Sequence, residues 1–264
     1  MKTKQIIDHI VKWLDTYLGR SGLKGFVIGV SGGIDSAVTS CLCAGTGKPV
    51  LALNMPIYQA KDQIVRSCDH IAWLEKKFDN VQGIDMELSP VFDEIKRSFP
   101  GSIQDNMTLA NTRSRLRMLT LYAFASSHKM LVAGTGNRVE DFGVGFYTKY
   151  GDGGVDISPL ADLTKTQVYS LGKSLGIIED ILTAAPTDGL WDDNRSDESQ
   201  IGATYKELEW AMAYLDSSKK EALNKRQKKV LSIYKSFHIA NKHKMEPIPV
   251  CHIPGSLLAD LFNN

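Results

Sequence analysis

Ser31-Gly32-Gly33-Ile34-Asp35-Ser36 is the segment most suited to chemistry, because it follows an apolar run, Phe26–Val30, and precedes a helical pattern. Consecutive glycines let a chain turn tightly and approach a phosphate closely. The amides at a helix start point at an anion, and the helix dipole adds partial positive charge. The hydroxyls of Ser31 and Ser36 are further donors. A kinase-type phosphate loop would carry a lysine here; this chain carries Asp35 instead. A bare carboxylate beside polyphosphate would be repelled, so the pattern calls for a bridging Mg²⁺, which favours carboxylate and phosphate oxygens. Residues Gly29, Val30, Ser31, Gly32, Gly33, Ile34, Asp35 and Ser36 thus form an expected cradle for the phosphates of a nucleotide.

The elements that must position this loop alternate along the chain. An amphipathic helix opens it, with Ile6, Ile7, Ile10, Val11, Leu14 and Leu18 at helical spacing. Strands are expected at 26–30, 50–55, 81–86 and 130–135, with helices through 37–44, 60–78 and 107–128 between them. Such alternation predicts an α/β fold, a doubly wound parallel sheet with flanking helices. Right-handed crossovers place the strand-to-helix turns on one edge of the sheet, where ligands bind. After residue 140 periodicity weakens. Loops at about 143–165 and 185–200 read as lids, separated by a helix near 166–175, and the last third is helical. With no linker or repeat in view, residues 1–264 are expected to form a single domain.

The bulk numbers restrict the function classes. Lys plus Arg total 31 against 30 Asp plus Glu, a net charge of +1, so no broad basic face for nucleic acid is expected. Hydrophobic residues make up 43% of the 264, enough for a sizeable core. Cys41, Cys43, Cys68 and Cys251 show no zinc-like spacing and read as buried or partly buried thiols in a reducing compartment. The N-terminal stretch carries Asp8, His9, Lys12 and Asp15 among its apolar residues, which fits neither a signal peptide nor a membrane span. A cytoplasmic protein is the expectation.

The SGGxDS segment resembles the phosphate loop of the ATP pyrophosphatase superfamily, whose members cleave ATP between its α and β phosphates and adenylate a substrate. Within it, Gly145–Asp156 (GFYTKYGDGGVD) is similar to the GFFTKYGDGG-x-D motif of the NAD synthetases. The resemblance extends through NTRSRLRM, GT…E at 134–140, LTK at 163–165, APT at 185–187 and His243-Lys244. It implies an adenine nucleotide alpha hydrolase-like fold and the ATP-dependent amidation of deamido-NAD with ammonia, through an adenylated intermediate, giving NAD, AMP and pyrophosphate. Asp35 and Glu140 would share Mg²⁺. Thr135, Thr187 and Lys165 would contact ATP, Lys165 also steadying charge at the α-phosphate. Arg115, Lys149, Asp156, His243 and Lys244 would bind deamido-NAD. Ammonium must lose a proton before it attacks, and Asp152 or Asp156 is the expected acceptor. A homodimer is implied.

The chain departs from that pattern in places. Gly134-Thr135-Gly136-Asn137-Arg138-Val139-Glu140 stands where many bacterial members read GTDHAAE, and an extra residue lies between Glu140 and Lys149. APT-Asp188-Gly189 stands where APTADL is commoner. No amidase-like segment precedes the synthetase-like part, so free ammonia is the expected donor, with a separate glutaminase subunit compatible. Two rival readings are another adenylating enzyme, such as a tRNA-modifying ligase, and a non-catalytic adenine-nucleotide-binding module. Thiolation would need a nucleophilic cysteine in the site, whereas Cys41 and Cys43 fall on the helix behind the loop. Retention of Asp35, Glu140, Lys149 and Lys165 together counts against a mere binding module.

Overall fold

A computed structural model of the chain describes residues 2–187, 189, 196–218 and 222–258. Four strands, β1 (Phe26–Gly29), β2 (Val50–Asn54), β3 (Val81–Asp85) and β4 (Leu131–Val132), form a parallel sheet in the order β3-β2-β1-β4. β1 registers Phe26 against Val50 on one side and against Leu131 on the other. The chain therefore winds outward from β1 in one direction and then crosses back to β4. The carboxyl ends of β1 and β4 flank the point where strand order reverses, the usual ligand crevice of such sheets.

Alternation along β1 divides the core. Phe26 and Ile28 face α1 (Thr3–Ser21), α2 (Ile34–Ala44) and later helices through Leu14, Val38, Leu42 and Leu171. Val27 faces the opposite layer, where α4 (Ser89–Ser98) and α5 (Asn106–His128) bring Phe92, Leu109 and Leu116 against Leu51 and Leu53. α3 (Lys61–Lys77) crosses from β2 to β3. Both faces of the sheet are covered at its centre, which is why β1 and β2 lack polar alternation, whereas the edge strand β3 exposes Gln82 and Asp85.

Three expectations need correction. The fourth strand is shorter than 130–135: only Leu131–Val132 pair in the ladder, with Ala133 bridging Ile157. The next amide, on Gly134, donates to the Ile157 carbonyl (2.7 Å) and turns the chain out of the sheet. α2 starts at Ile34, earlier than 37, because Gly33 holds the extended backbone of an N-cap. Of the four thiols, Cys41 and Cys43 are buried, whereas Cys68 and Cys251 are exposed.

Residues 143–165 are built largely from turns: the amide of Gly151 donates to Thr148 and that of Gly154 to Gly151, while Val144, Ile157 and Leu160 are buried. Before them, Val139–Val144 forms a π-helical turn. Its wider i→i+5 spacing takes in an additional residue, in the region where the sequence carries one. The helical C-terminal part packs on this turn. α6 (Lys165–Leu175) and α7 (Glu179–Thr183) precede α8 (Asp197–Ile201), α9 (Tyr205–Asp216) and α10 (Lys225–Met245), and a short α11 (Gly255–Leu258) lies near the end. Val139, Val144, Ile201, Leu208, Val230 and Tyr234 form a core of their own. Among the described residues no helix is long and apolar enough to cross a membrane.

α2 is tied to its neighbour by His70 of α3, which is fully buried and hydrogen-bonded with Ser40 (3.0 Å). Burial lowers the His70 pKa to about 4. The unfolded chain then takes up this proton near pH 6.5, before the folded chain does, so stability falls as pH drops from about 6.5 towards 4. The loss is about 3 kcal/mol at most. Urea denaturation of the parent and of His70→Phe at pH 7.5 and 4.5 checks this. The pH dependence of the variant should be shallower, and equal slopes would contradict it.

Candidate active site

The phosphate loop is held open by its own side chains. Gly32 has φ +78°, and a Cβ there would stand 2.7 Å from the Gln63 carbonyl, so only glycine fits. Ser36 Oγ accepts from the Ser31 amide (3.2 Å) and donates to the Gly33 carbonyl (3.0 Å). Ser31 Oγ accepts from the Gly33 amide at 3.3 Å. Both hydroxyls thus brace the loop as well as standing beside its opening. Ser67 of α3 donates to the Val30 carbonyl (2.8 Å) and fixes the loop's entry.

Opposite the loop, side chains distant in sequence converge. Lys165, at the start of α6, donates from Nζ to Asp35 Oδ2 (2.5 Å) and to Glu140 Oε1 (2.9 Å). The Thr164–Gln167 capping box starts α6 there, which sets Lys165 at the mouth of the phosphate loop. All three charged side chains are largely buried, Lys165 at 6% exposure and the two acids at 15%. Tyr205, at the first position of α9, donates to the same Glu140 oxygen (2.5 Å) and also lies 3.2 Å from Asp197 Oδ2. Asn137 donates to Asp35 Oδ1 (3.2 Å).

Burial raises the Asp35 pKa, Lys165 opposes this, and Glu140 adds to it. Burial alone would discharge the Lys165 ammonium, but Asp35 and Glu140 outweigh it and its pKa is raised. The pair of carboxylates therefore demands a cation. Among the described residues there is no cluster of three or more potential metal-binding side chains. Two hard oxygen donors converging on one cationic atom beside a phosphate loop nevertheless fit a Mg²⁺ completed by phosphate oxygens and water.

These residues line one cleft at the carboxyl ends of β1 and β4. Gly29–Ser36, Thr135, Glu140, Lys165, Thr187 and Asp152 all line it. Asp152 is held by Ser114 Oγ (2.7 Å) and by the Thr148 amide (2.9 Å), and its surroundings raise its pKa, chiefly by desolvation. The remaining expected residues do not line this cleft. Arg115 donates to the Lys149 carbonyl (3.3 Å), Lys149 Nζ to the His243 carbonyl (2.6 Å), and Lys244 Nζ to the carbonyls of Gly145 and Tyr147 (2.7 and 2.8 Å). They form a neighbouring cluster that braces the 145–150 segment. Asp156 stands apart, accepting from Tyr122 (2.9 Å) and from the Val132 amide (2.8 Å). Asp188 and residues 190–195 of the second expected lid lie outside the described residues.

Tyr205, Asn137 and Asp141 escaped the sequence reading. Asp141 lines the cleft, and its pKa is pushed up to about 8, mainly by burial and then by Glu140 and Asp152. A side chain on Gly136 would collide with the Asp141 carboxylate. The acid that GTDHAAE places at 136 is thus absent, and a carboxylate reaches the same space from 141. The Glu140-Asp141 pair, which begins three residues after Asn137, was the available signal.

Comparison with known proteins decides the family. The NAD synthase family model matches residues 6–247. The chain belongs to the NAD synthase family. An NH(3)-dependent NAD(+) synthetase of Mesoplasma florum is 36% identical over 224 residues, covering 81% of this chain and 85% of its own. The corresponding Mycoplasma genitalium synthetase is 40% identical over 206 residues, 77% of this chain and 80% of its own. Among solved structures, an NMN synthetase from Francisella tularensis superposes with a TM-score of 0.85 at 33% identity, over 96% of this chain and all of that one. The sheet order and flanking helices are those of the adenine nucleotide alpha hydrolase-like fold of NAD synthases.

Removing Lys165 should leave two buried carboxylates facing each other. Lys165→Met is expected to lower the stability of the ligand-free protein by about 3 kcal/mol, measured by urea denaturation at pH 7.5. A loss below about 1 kcal/mol would show that the cluster is solvated more like a surface pair.

Proposed function

We propose that the protein makes NAD by amidating the nicotinate carboxylate of deamido-NAD with ammonia and ATP, releasing AMP and pyrophosphate. The observation that carries this reading is the Asp35–Lys165–Glu140 cluster at the mouth of the SGGIDS loop, in a chain of the NAD synthase family. Adenylation brings a substrate carboxylate to the α-phosphate of ATP, two anions that repel. The residues on hand address that repulsion.

The loop amides and the start of α2 would take the β and γ phosphates. Asp35 and Glu140 would hold a Mg²⁺, which when bound neutralises phosphate charge and withdraws electrons from the α-phosphorus. Lys165 would then be released from its carboxylate partners towards the α-phosphate. The substrate carboxylate oxygen bonds to the α-phosphorus as the bond to the pyrophosphate oxygen breaks. Ammonia next adds to the carbonyl carbon of the mixed anhydride, and AMP departs with the oxygen that joined it. A carboxylate must first accept the ammonium proton; Asp152 is our choice because it lines the cleft, whereas Asp156 is engaged with β4 and Tyr122. The turns at 148–154 form one wall of the cleft and would help exclude water from the anhydride.

The Arg115–Lys149–His243–Lys244 cluster lies outside the cleft of one chain. It would serve deamido-NAD if that substrate extends across a homodimer, and we propose that assembly as part of the reading. Ammonia would be used directly, with a separate glutaminase as a compatible supplier. We place the protein in the cytoplasm, the reducing setting in which exposed thiols such as Cys68 and Cys251 persist.

A second reading takes nicotinate mononucleotide as the acceptor, and the Francisella NMN synthetase is what favours it. The chemistry at the carboxylate is unchanged; only the adenylate half of the substrate is missing. Steady-state assays with deamido-NAD and nicotinate mononucleotide, each with ammonium or glutamine, separate the two. We expect kcat/KM at least tenfold higher for deamido-NAD with ammonium, a difference of about 1.4 kcal/mol in transition-state stabilisation. The reverse preference would make the protein a ligase that amidates the mononucleotide, and no amide product from either would reject both.

A further inference from the structure

Asn137 is fully buried beside the Asp35 carboxylate and the backbone amide of Glu140, and its side chain makes contacts in opposite directions. Its Oδ1 accepts from the backbone amides of Val139 (3.1 Å) and Glu140 (3.2 Å), capping the π-helical turn. Its Nδ2 donates to Asp35 Oδ1 (3.2 Å). Because two N–H groups face one end, that end must be the oxygen, so the amide can only turn its NH₂ to Asp35. The side chain thereby links the phosphate-loop helix to the turn that carries Glu140, across more than a hundred residues of sequence.

The consequence concerns Asp35. With Oδ1 held by Asn137, Oδ2 is the oxygen left to the cation, and it points at the Lys165 ammonium together with Glu140 Oε1. When Lys165 turns to the phosphates, the divalent cation alone holds the two acids together, and their like charges favour parting. A neutral donor is suited to resist this, because it supports a carboxylate without taking the cation's place. We propose that Asn137 is a positioning residue that keeps Asp35 Oδ2 and Glu140 aimed at one divalent cation. This rests on the reading of Asp35 and Glu140 as the cation's holders. A neutral imidazole has the same inventory, one acceptor and one donor, so histidine at 137 can substitute; serine can cap the turn but is too short to reach Asp35.

The test is Mn²⁺ binding by the intact protein in the presence of α,β-methylene-ATP, read from the EPR signal of free Mn²⁺, with the melting temperature as a check on folding. Asn137→Ser should weaken Mn²⁺ binding about tenfold, the scale of one hydrogen bond to a charged group, with the melting temperature nearly unchanged. Asn137→His should bind Mn²⁺ within about threefold of the parent, well short of that one-hydrogen-bond loss. Asp35→Asn should abolish binding. A normal Mn²⁺ affinity in Asn137→Ser, beside its loss in Asp35→Asn, would overturn the inference alone. So would a well-folded Asn137→His that binds as weakly as Asn137→Ser. Unimpaired binding in Asp35→Asn would instead remove the cation reading on which it rests.

Discussion

The lone ammonium of Lys165 between Asp35 and Glu140 is the interaction from which the rest of the site follows. Two largely buried carboxylates next to a loop shaped for polyphosphate form an arrangement that neither empties of charge nor tolerates it without a counterion. In this structure that counterion is a side chain. During turnover the same carboxylates would be needed for the cation that accompanies ATP, and the same lysine for the phosphate under attack. One exchange of partners would serve both needs, because the ammonium sits at the end of a flexible stem.

The fold supplies each member from a different layer. Asp35 comes from the start of α2 after β1, Glu140 from the turn after β4, and Lys165 from the start of α6. β1 and β4 are neighbours in the sheet although α2, β2, α3, β3, α4 and α5 lie between them in sequence. The reversal of strand order brings their carboxyl ends together, and the cleft is the gap it leaves. The C-terminal helices then close the far side: α9 starts at the Thr204–Glu207 capping box, and that start sets Tyr205 beside Glu140. A core separate from the sheet holds this turn in place.

What was legible in the sequence was local. The SGGIDS loop lies within a few residues of its strand and helix, so its chemistry follows from spacing alone. The alternation that predicts a parallel sheet is equally local, and so is the helix expected near 166–175, which the structure starts at Lys165. Glu140 and Lys165 entered only with the family resemblance, Glu140 as a holder of Mg²⁺ and Lys165 as an ATP contact; their ion pair joins distant segments and no local pattern marks it. Asn137 and Tyr205 carry no periodic or motif signal of their own, because their roles depend on which turn packs on which. Asp141 was masked by the commoner acid at 136, whose space it reaches from the other side of the turn. The assignment of Arg115, Lys149, His243 and Lys244 is equally dependent on the fold: Arg115, Lys149 and Lys244 donate to backbone carbonyls of the same cluster and meet a substrate only if it reaches beyond the cleft.

The central claim is that the substrate carboxylate becomes joined to the α-phosphate before ammonia arrives. Deamido-NAD labelled with ¹⁸O in both carboxylate oxygens, incubated with ATP, Mg²⁺ and ammonium, tests it directly through mass spectrometry of the AMP released. The account predicts AMP carrying a single ¹⁸O, formed in step with pyrophosphate and NAD. AMP without label, or ADP and phosphate in its place, would contradict it.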